Sequence, residues 1–358
     1  MSRLMALLWL VLSFSVTPLF AGEIFKCRDA MGRVAFQDGP CHVADHEEKL
    51  SLTPPGAAVL PPIPVDAFSE GNSRKSLAKE TPTKKIVGSR NFAWRLTKGK
   101  QQGYLMGSIH FGKASMYPLS IVLLNAFKGA DALVVEANVL DTNASMITNT
   151  MMSTGLYRDG STLKEVLSAD LWDELSITSA ALGMPVAVLD GMKPWFASMT
   201  LTVMALTGVG LDESLGIDQH FLQMAKKTNK PIRELESMQQ QLALLSGLSQ
   251  EVQVAMLKQT LQDMESAETY FDAMLNTWQA GDVLALDQLV VDETMKSTEI
   301  SELNRVMITD RNRSMADGVD AMLRGGCHCF VVVGAGHLGG EQGMIKLLQL
   351  KGYRAEQL

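Results

Sequence analysis

A chain of 358 residues has room for one large or two smaller domains, and 46% hydrophobic with 20% charged residues is ordinary for a packed globular protein. A formal net charge of −7 without any long basic run excludes nucleic acid as a partner class, because phosphate binding draws on clustered Lys and Arg. Past the N-terminal segment no apolar run reaches the length of a membrane span, so no stable span is expected in the mature chain.

The first predicted element is a secretory signal peptide over residues 1–21. Arg3 supplies the positive start, "LMALLWLVLSF" (Leu4 to Phe14) the apolar segment, Pro18 the break, and Ala21 a cleavage position. No Cys stands at that position, which argues against a lipid anchor; an uncleaved membrane anchor is the rival reading. The expected location is exported, either periplasmic or secreted.

Residues 22–50 read as a small module. "EIFKC" and "RVAFQD" alternate in polarity around the turn "DAMG", the pattern of a β-hairpin. Two strands alone are marginal in water, so Cys27 and Cys41 are expected to pair and hold them, contributing roughly 3 kcal/mol by loop closure. The stretch resembles a small uncharacterised domain family found just after bacterial signal peptides. A role in binding envelope material is one reading of its position. Residues 51–85 are rich in Pro and then polar without periodicity, as in "TPPGAAVLPPIPVD" and "SEGNSRKSLAKETPTKK", and read as a disordered linker.

The main domain is expected over residues 86–358. "AWRL" and "GYLMGSIH" read as strands, "PLSIVLLNAFKGA" as a helix, and "DALVVEAN" as a buried strand. A largely helical middle follows, with Leu257, Leu261, Met264, Phe271, Leu275 and Trp278 as an apolar stripe that Gly281 stops. "SELNRVMITDRNRSMADGVDAML" reads as helical, "CFVVVGAG" as a buried strand, "GEQGMIKLLQLKG" as a helix and "YRAEQL" as a final strand. Strand–helix–strand at both ends predicts an α/β fold with a mixed sheet and a large helical insertion between its halves. In Cys327-x-Cys329 a strand would point both thiols to one face, and buried packing thiols are favoured over a metal pair.

Each terminal strand ends in the same motif, G-x-x-H: Gly107 to His110, and Gly334 to His337. Bends after parallel strands are where α/β sheets bind ligands, glycine lets the backbone turn there, and histidine can ligate a metal or move a proton. A capping or hydrogen-bonding role is the alternative for either histidine alone; the duplication favours a shared site. Glu136 closes the apolar strand "LVVE", where an unpaired buried carboxylate would be costly; a position at the solvent boundary is its alternative. Asp218 in "GID" and Glu236 in "ELES" are further acidic candidates that helix capping would equally explain.

Taken together, "YLMGSIHFG", "MYPL", "DALVVEAN", "KPWFASM", "GIDQHFLQMAKKTNKPIRELESMQQQL", "ITDRNRSMA" and "FVVVGAGHLGGEQGMIKLLQLKGY" resemble the TraB/PrgY/GumN family, bacterial relatives of the TIKI proteases. The resemblance runs from about Ala93 to Tyr353. It implies an α/β fold of two related halves and a site where two G-x-x-H motifs, an acidic residue and an Arg converge. By position these are His110, Glu136, His337 and Arg311, all present here. TIKI members are described as divalent-metal-dependent proteases, so the resemblance implies a metal held by His110, Glu136 and His337. Two imidazoles and a carboxylate suit Mn, Co or Zn. Arg311 is expected to hold a substrate carboxylate or an oxyanion; a helix-surface ion pair is its alternative.

No H-E-x-x-H helix, G-x-S-x-G elbow or G-x-x-x-x-G-K-S/T loop occurs, and "GAGHLGG" lacks the Lys of a phosphate loop. The expected function is an exported metal-dependent hydrolase of a peptide or peptide-like bond. The alternative is a regulatory protein that captures a peptide or signal on the same fold without cutting it.

Overall fold

Segments such as Leu133–Val135 and Phe330–Val333 are apolar on consecutive residues, so neither face can be left to water; they become inner strands of a sheet covered on both sides. The computed structural model describes residues 23–28, 34–37, 41, 46–51, 90–140, 143–264, 267–291 and 297–358. The expected signal peptide and nearly all of the expected linker lie outside the described residues.

The N-terminal module contains β1 (Glu23–Arg28), β2 (Val34–Gln37) and β3 (His46–Ser51), antiparallel in the order β2-β1-β3. The two-strand expectation is thus corrected to three. The sequence of β3, "HEEKLS", lacks the alternation that marks a strand, and its partner β1 supplies the order instead. Cys27 and Cys41 form the expected disulfide, with Cα atoms 5.4 Å apart.

In the main domain β4 (Ala93–Lys98) and β5 (Gln101–Ser108) form an antiparallel hairpin, followed by α1 (Ile121–Gly129) and β6 (Ala132–Val135). The helical middle holds α2 (Ala144–Gly155), α3 (Leu163–Val166), α4 (Ala169–Ala181), α5 (Val186–Leu189), α6 (Pro194–Gly208) and α7 (Ile217–Lys227). After the short β7 (Ile232–Glu234) come α8 (Met238–Ser246), α9 (Gln250–Met264), α10 (Ala267–Ala280) and α11 (Val283–Val291). The last part holds α12 (Thr298–Asn304), a π-helical turn over Arg305–Thr309, α13 (Asp310–Arg324), β8 (Cys329–Gly334), α14 (Met344–Leu350) and β9 (Arg354–Gln357).

The strand order is β7-β6-β8-β5-β4-β9. The pairs β6–β7, β6–β8 and β5–β8 are parallel, whereas β4 is antiparallel to both β5 and β9. The late strand β8 therefore inserts between the early strands β5 and β6. That interleaving, with Ser108 opposite Gly334 and Val135 opposite Val332, brings both G-x-x-H motifs to neighbouring strand ends. In the helical middle α6 is buried along almost its whole length and packs on α9, where the Ser198 and Thr260 hydroxyls share a 2.6 Å hydrogen bond. The stripe ending at Trp278 falls on two helices, α9 and α10, and Gly281 ends the second at φ +70°.

The expectation of packing thiols at Cys327 and Cys329 is corrected, because the two are joined in a disulfide with Cα atoms 5.3 Å apart. β8 begins only at Cys329, and Gly326 at φ +86° turns the chain so that Cys327 folds back beside it.

Candidate functional site

The site is assembled from the C-terminal ends of parallel strands. β5 delivers His110, β6 delivers Glu136, and β8 delivers His337 through one 3-10 turn, Ala335–His337. All three side chains are buried, as is Arg311 from the first turn of α13. The solvent-boundary alternative for Glu136 and the surface ion-pair alternative for Arg311 are both excluded by this burial. The four expected residues do meet.

The two motif glycines are needed for different reasons. At Gly107 a Cβ would stand 2.6 Å from Phe92 Cδ1 and 2.8 Å from Ala335 Cα, so the first glycine is demanded by packing. At Gly334 a Cβ would stand 3.3 Å from Glu136 Oε1 and 3.5 Å from both His110 Nε2 and His337 Cδ2. Its backbone, φ −52° and ψ 135°, is open to any residue. The absent side chain of Gly334 is thus the space around which the site groups gather.

His110 is held from the insertion. Asp212 and Gly112 exchange both backbone hydrogen bonds, and Ile217 N donates to Ile109 O, so residues 212–217 are strapped along the histidine's own segment. Gly216 lies against the His110 carbonyl, where a Cβ would come within 2.3 Å. One residue into α7, the Asp218 carboxylate stands 3.2 Å from His110 Nδ1, within ion-pair distance though without full hydrogen-bond alignment. Burial opposes a charge on His110, but the Asp218 and Glu136 carboxylates outweigh it and raise the pKa to about 9.

His337 behaves oppositely. Asn312 Nδ2 donates to the Gln342 carbonyl at 2.8 Å, which turns Asn312 Oδ1 toward His337 Nδ1 at 2.6 Å. The ring must therefore donate from Nδ1 and keep its lone pair on Nε2. That nitrogen has no hydrogen-bond partner among the described residues and stands 3.7 Å from Glu136 Oε1. Burial, reinforced by the Arg311 and His110 charges against the opposing pull of Glu136, holds His337 neutral, with its pKa lowered to about 3.

Glu136 and Glu236 lie side by side because the β6–β7 ladder runs past its last strand pair, with Glu236 N donating to Glu136 O at 2.8 Å. Arg311 lies between the two carboxylates. Its Nη2 donates to Glu136 Oε2 at 2.6 Å and to Glu236 Oε2 at 2.8 Å, its Nε to both Glu236 oxygens, and its Nη1 to Met307 O at 3.1 Å. The π turn just before α13 presents that Met307 carbonyl. Burial would raise the Glu136 pKa, but His337, Arg311 and His110 facing it, with the Gly334 N–H on Oε1, bring it down to about 2. Gln241 Nε2 in turn holds Glu236 Oε2 at 3.1 Å.

The chemistry of the donors suits one divalent ion. His337 Nε2 has a free lone pair, His110 Nε2 and Glu136 Oε1 border the same space, and Asn312 and Asp218 back the two imidazoles as outer partners commonly do. Among the described residues no three His, Cys, Asp or Glu groups already stand at the spacing of a closed metal cage. The donors thus match a divalent ion in kind and not in spacing.

Asn312 was missed by sequence reasoning, although a signal existed. On the amphipathic α13, Arg311 and Asn312 share the buried face with Met315, Ala316, Val319 and Leu323, a place where polar side chains need partners. Ser108 and Gln241 left no such signal.

A family model described as the TraB/PrgY/gumN family matches residues 92–357. A second, described as a domain of unknown function (DUF4124), matches residues 7–64. "Uncharacterized protein YbaP" of Shigella flexneri is 31% identical over 251 residues, covering 70% of this chain and 89% of its own. The protein of the same name in Escherichia coli (strain K12) matches with the same identity and coverage. An uncharacterized protein of Treponema pallidum (strain Nichols) is 25% identical over 167 residues, 46% of this chain and 49% of its own. No solved structure matches.

Proposed function

The chain belongs to the TraB/PrgY/gumN family, and from that premise, joined to the buried cluster at the strand ends, we propose that it is a divalent-metal-dependent hydrolase of a peptide or peptide-like bond. One observation carries the reading: His337 Nε2 is a buried lone pair, fixed in that tautomer by Asn312, that faces a carboxylate with no proton or donor between. A cation between them would satisfy both. His110, Glu136 and His337 would hold an ion such as Mn, Co or Zn. When bound, the ion supplies Lewis acidity at the scissile carbonyl and acidifies water.

The remaining work falls to the chain. Asn312 keeps the His337 lone pair directed into the site. Asp218 orients His110 through Nδ1, and because its pKa is raised His110 would give up its Nε2 proton when an ion binds. Arg311 acts through Glu136, because the N–H groups of Nε and Nη2 are already given to Glu136 and Glu236. The fork holds the two adjacent carboxylates side by side, and so serves as a positioning group where a substrate clamp was expected. The Cys27–Cys41 disulfide supports the accompanying reading that the protein is exported to an oxidising compartment, periplasmic or secreted.

Metal analysis of purified wild type against the H110A/H337A double variant tests the proposal. Wild type should carry a divalent ion that the variant loses; equal metal content in the two would overturn it. A second reading, capture of a peptide without cleavage, draws on the lack of a closed three-donor cage among the described residues. Incubating metal-loaded protein with a peptide library separates the readings: fragments support hydrolysis, and quantitative recovery of intact peptides supports capture.

A further inference from the structure

Several buried polar groups at this site have no hydrogen-bond partner among the described residues. Among the described residues they include His337 Nε2, Asp218 Oδ1 and the Ser108 hydroxyl. The first two belong to the proposed machinery, and Ser108 has no part in it so far. Its residue is fully buried, at 0% exposure. A hydroxyl in such a place ordinarily donates to a carbonyl or a carboxylate, and this one does neither.

Its position follows from the strand register. Ser108 is the last residue of β5 and the direct partner of Gly334 on β8. Paired residues on neighbouring parallel strands project from the same face, about 4.8 Å apart. Ser108 therefore stands one strand spacing from the space bordered by Glu136 Oε1, His110 Nε2 and His337. It also precedes His110 by two residues.

A hydrolase needs a donor where negative charge develops on the substrate oxygen. The Arg311 fork is committed to Glu136 and Glu236. The Glu136 carboxylate already accepts from Gly334 N–H and Arg311. His337 presents a lone pair where a donor is needed. Among the described residues the Ser108 O–H is an uncommitted neutral donor beside this space. We propose that Ser108 is a further catalytic residue, its hydroxyl donating a hydrogen bond to the substrate oxygen on which negative charge develops. The assignment rests on the hydrolase reading above.

Inorganic phosphate serves as an oxyanion probe, titrated calorimetrically into wild type and Ser108→Ala, each in metal-loaded and metal-free form. The variant should bind phosphate about tenfold more weakly, the loss of one charge-assisted hydrogen bond, with its divalent-ion content unchanged. It should also melt at or above the wild-type temperature, because it removes a buried hydroxyl that has no partner. A hydroxyl with a structural role would lower the melting temperature instead. Equal phosphate affinity in wild type and variant overturns the proposal, as does a wild type that binds no phosphate in either form. Covalent labelling of Ser108 by diisopropyl fluorophosphate also overturns it, by making the residue a nucleophile. If wild type takes up no metal yet loses phosphate affinity on substitution, the metal reading fails and the Ser108 assignment stands. Normal metal uptake with phosphate binding insensitive to the substitution gives the converse.

Discussion

The two glycines that open the G-x-x-H motifs look equivalent in sequence and are not. Gly107→Ala places a methyl group against the Phe92 ring and the Ala335 backbone, and overpacking of that kind costs about 1–3 kcal/mol. Gly334→Ala adds the same methyl in a permitted backbone conformation, against groups 3.3–3.5 Å away. Denaturant unfolding should show G107A clearly destabilised and G334A within about 1 kcal/mol of wild type. Divalent-ion content should show the reverse order, with G334A the variant that fails to load. Asp218→Asn removes the charge behind His110 while keeping its shape. Loss of such an outer partner typically costs 10–100-fold in metal affinity, so competition with a chromophoric chelator should find D218N weakened by about that factor. An unchanged affinity would remove Asp218 from the outer partners of the ion.

Elements explain why those residues are held still. α10 reaches the first motif through Trp278, whose Nε1 donates to the Gly107 carbonyl at 2.8 Å in a buried contact. Trp278→Phe leaves that carbonyl without its donor, and an unsatisfied buried acceptor costs about 1–3 kcal/mol. Urea denaturation of W278F should show a loss in that range. α7 and the strap over residues 212–217 do for His110 what α13 does for His337: each adds a polar group behind the imidazole from outside the sheet. The apolar stripe through Leu257 and Leu261 marked a helix correctly, yet nothing in it indicated that α10 would dock on a strand end. Nor did "IRE" mark β7, because three residues, mostly exposed, carry no readable period.

The whole molecule should carry the opposed histidines as a pH signature. His110 is raised from 6.5 to about 9, so metal-free protein gains stability from it below pH 6.5 and loses that gain as pH climbs to 9. His337 is lowered to about 3, so the unfolded chain binds the proton first and stability falls as pH drops below 6.5. Glu136, lowered from 4.5 to about 2, adds to the loss below pH 4.5. Each displacement corresponds to roughly 3–5 kcal/mol at full development. Melting temperatures of metal-free protein across pH 4–10 should therefore peak near 6.5, and His110→Gln should flatten the alkaline limb while altering the acid limb less, since His110 is a lesser cause of the His337 and Glu136 shifts. The sheet and site draw on residues from Arg90 onward, so a chain beginning at Ile86 should keep the melting temperature and metal content of the full protein. A marked fall in either would make the N-terminal module part of the folded unit.

Local chemistry made much of this readable. The apolar runs "ALVV" and "CFVVVG" read as buried strands, Gly281 ends its helix at positive φ, and a duplicated G-x-x-H at two strand ends marks one place twice. The family-specific run of motifs then named the histidines, Glu136 and Arg311. What the linear chain could not carry is the order of the strands. Only the insertion of β8 between β5 and β6 makes the motifs neighbours, and that order follows from which faces pack best across the whole domain. The same long-range packing decided that Arg311 bridges Glu136 and Glu236, with no fork left for substrate, and that Asp218 and Asn312 stand behind the imidazoles. Residue type and period are local and survive in sequence; partners are chosen by tertiary contact, and those contacts decide which histidine keeps its proton.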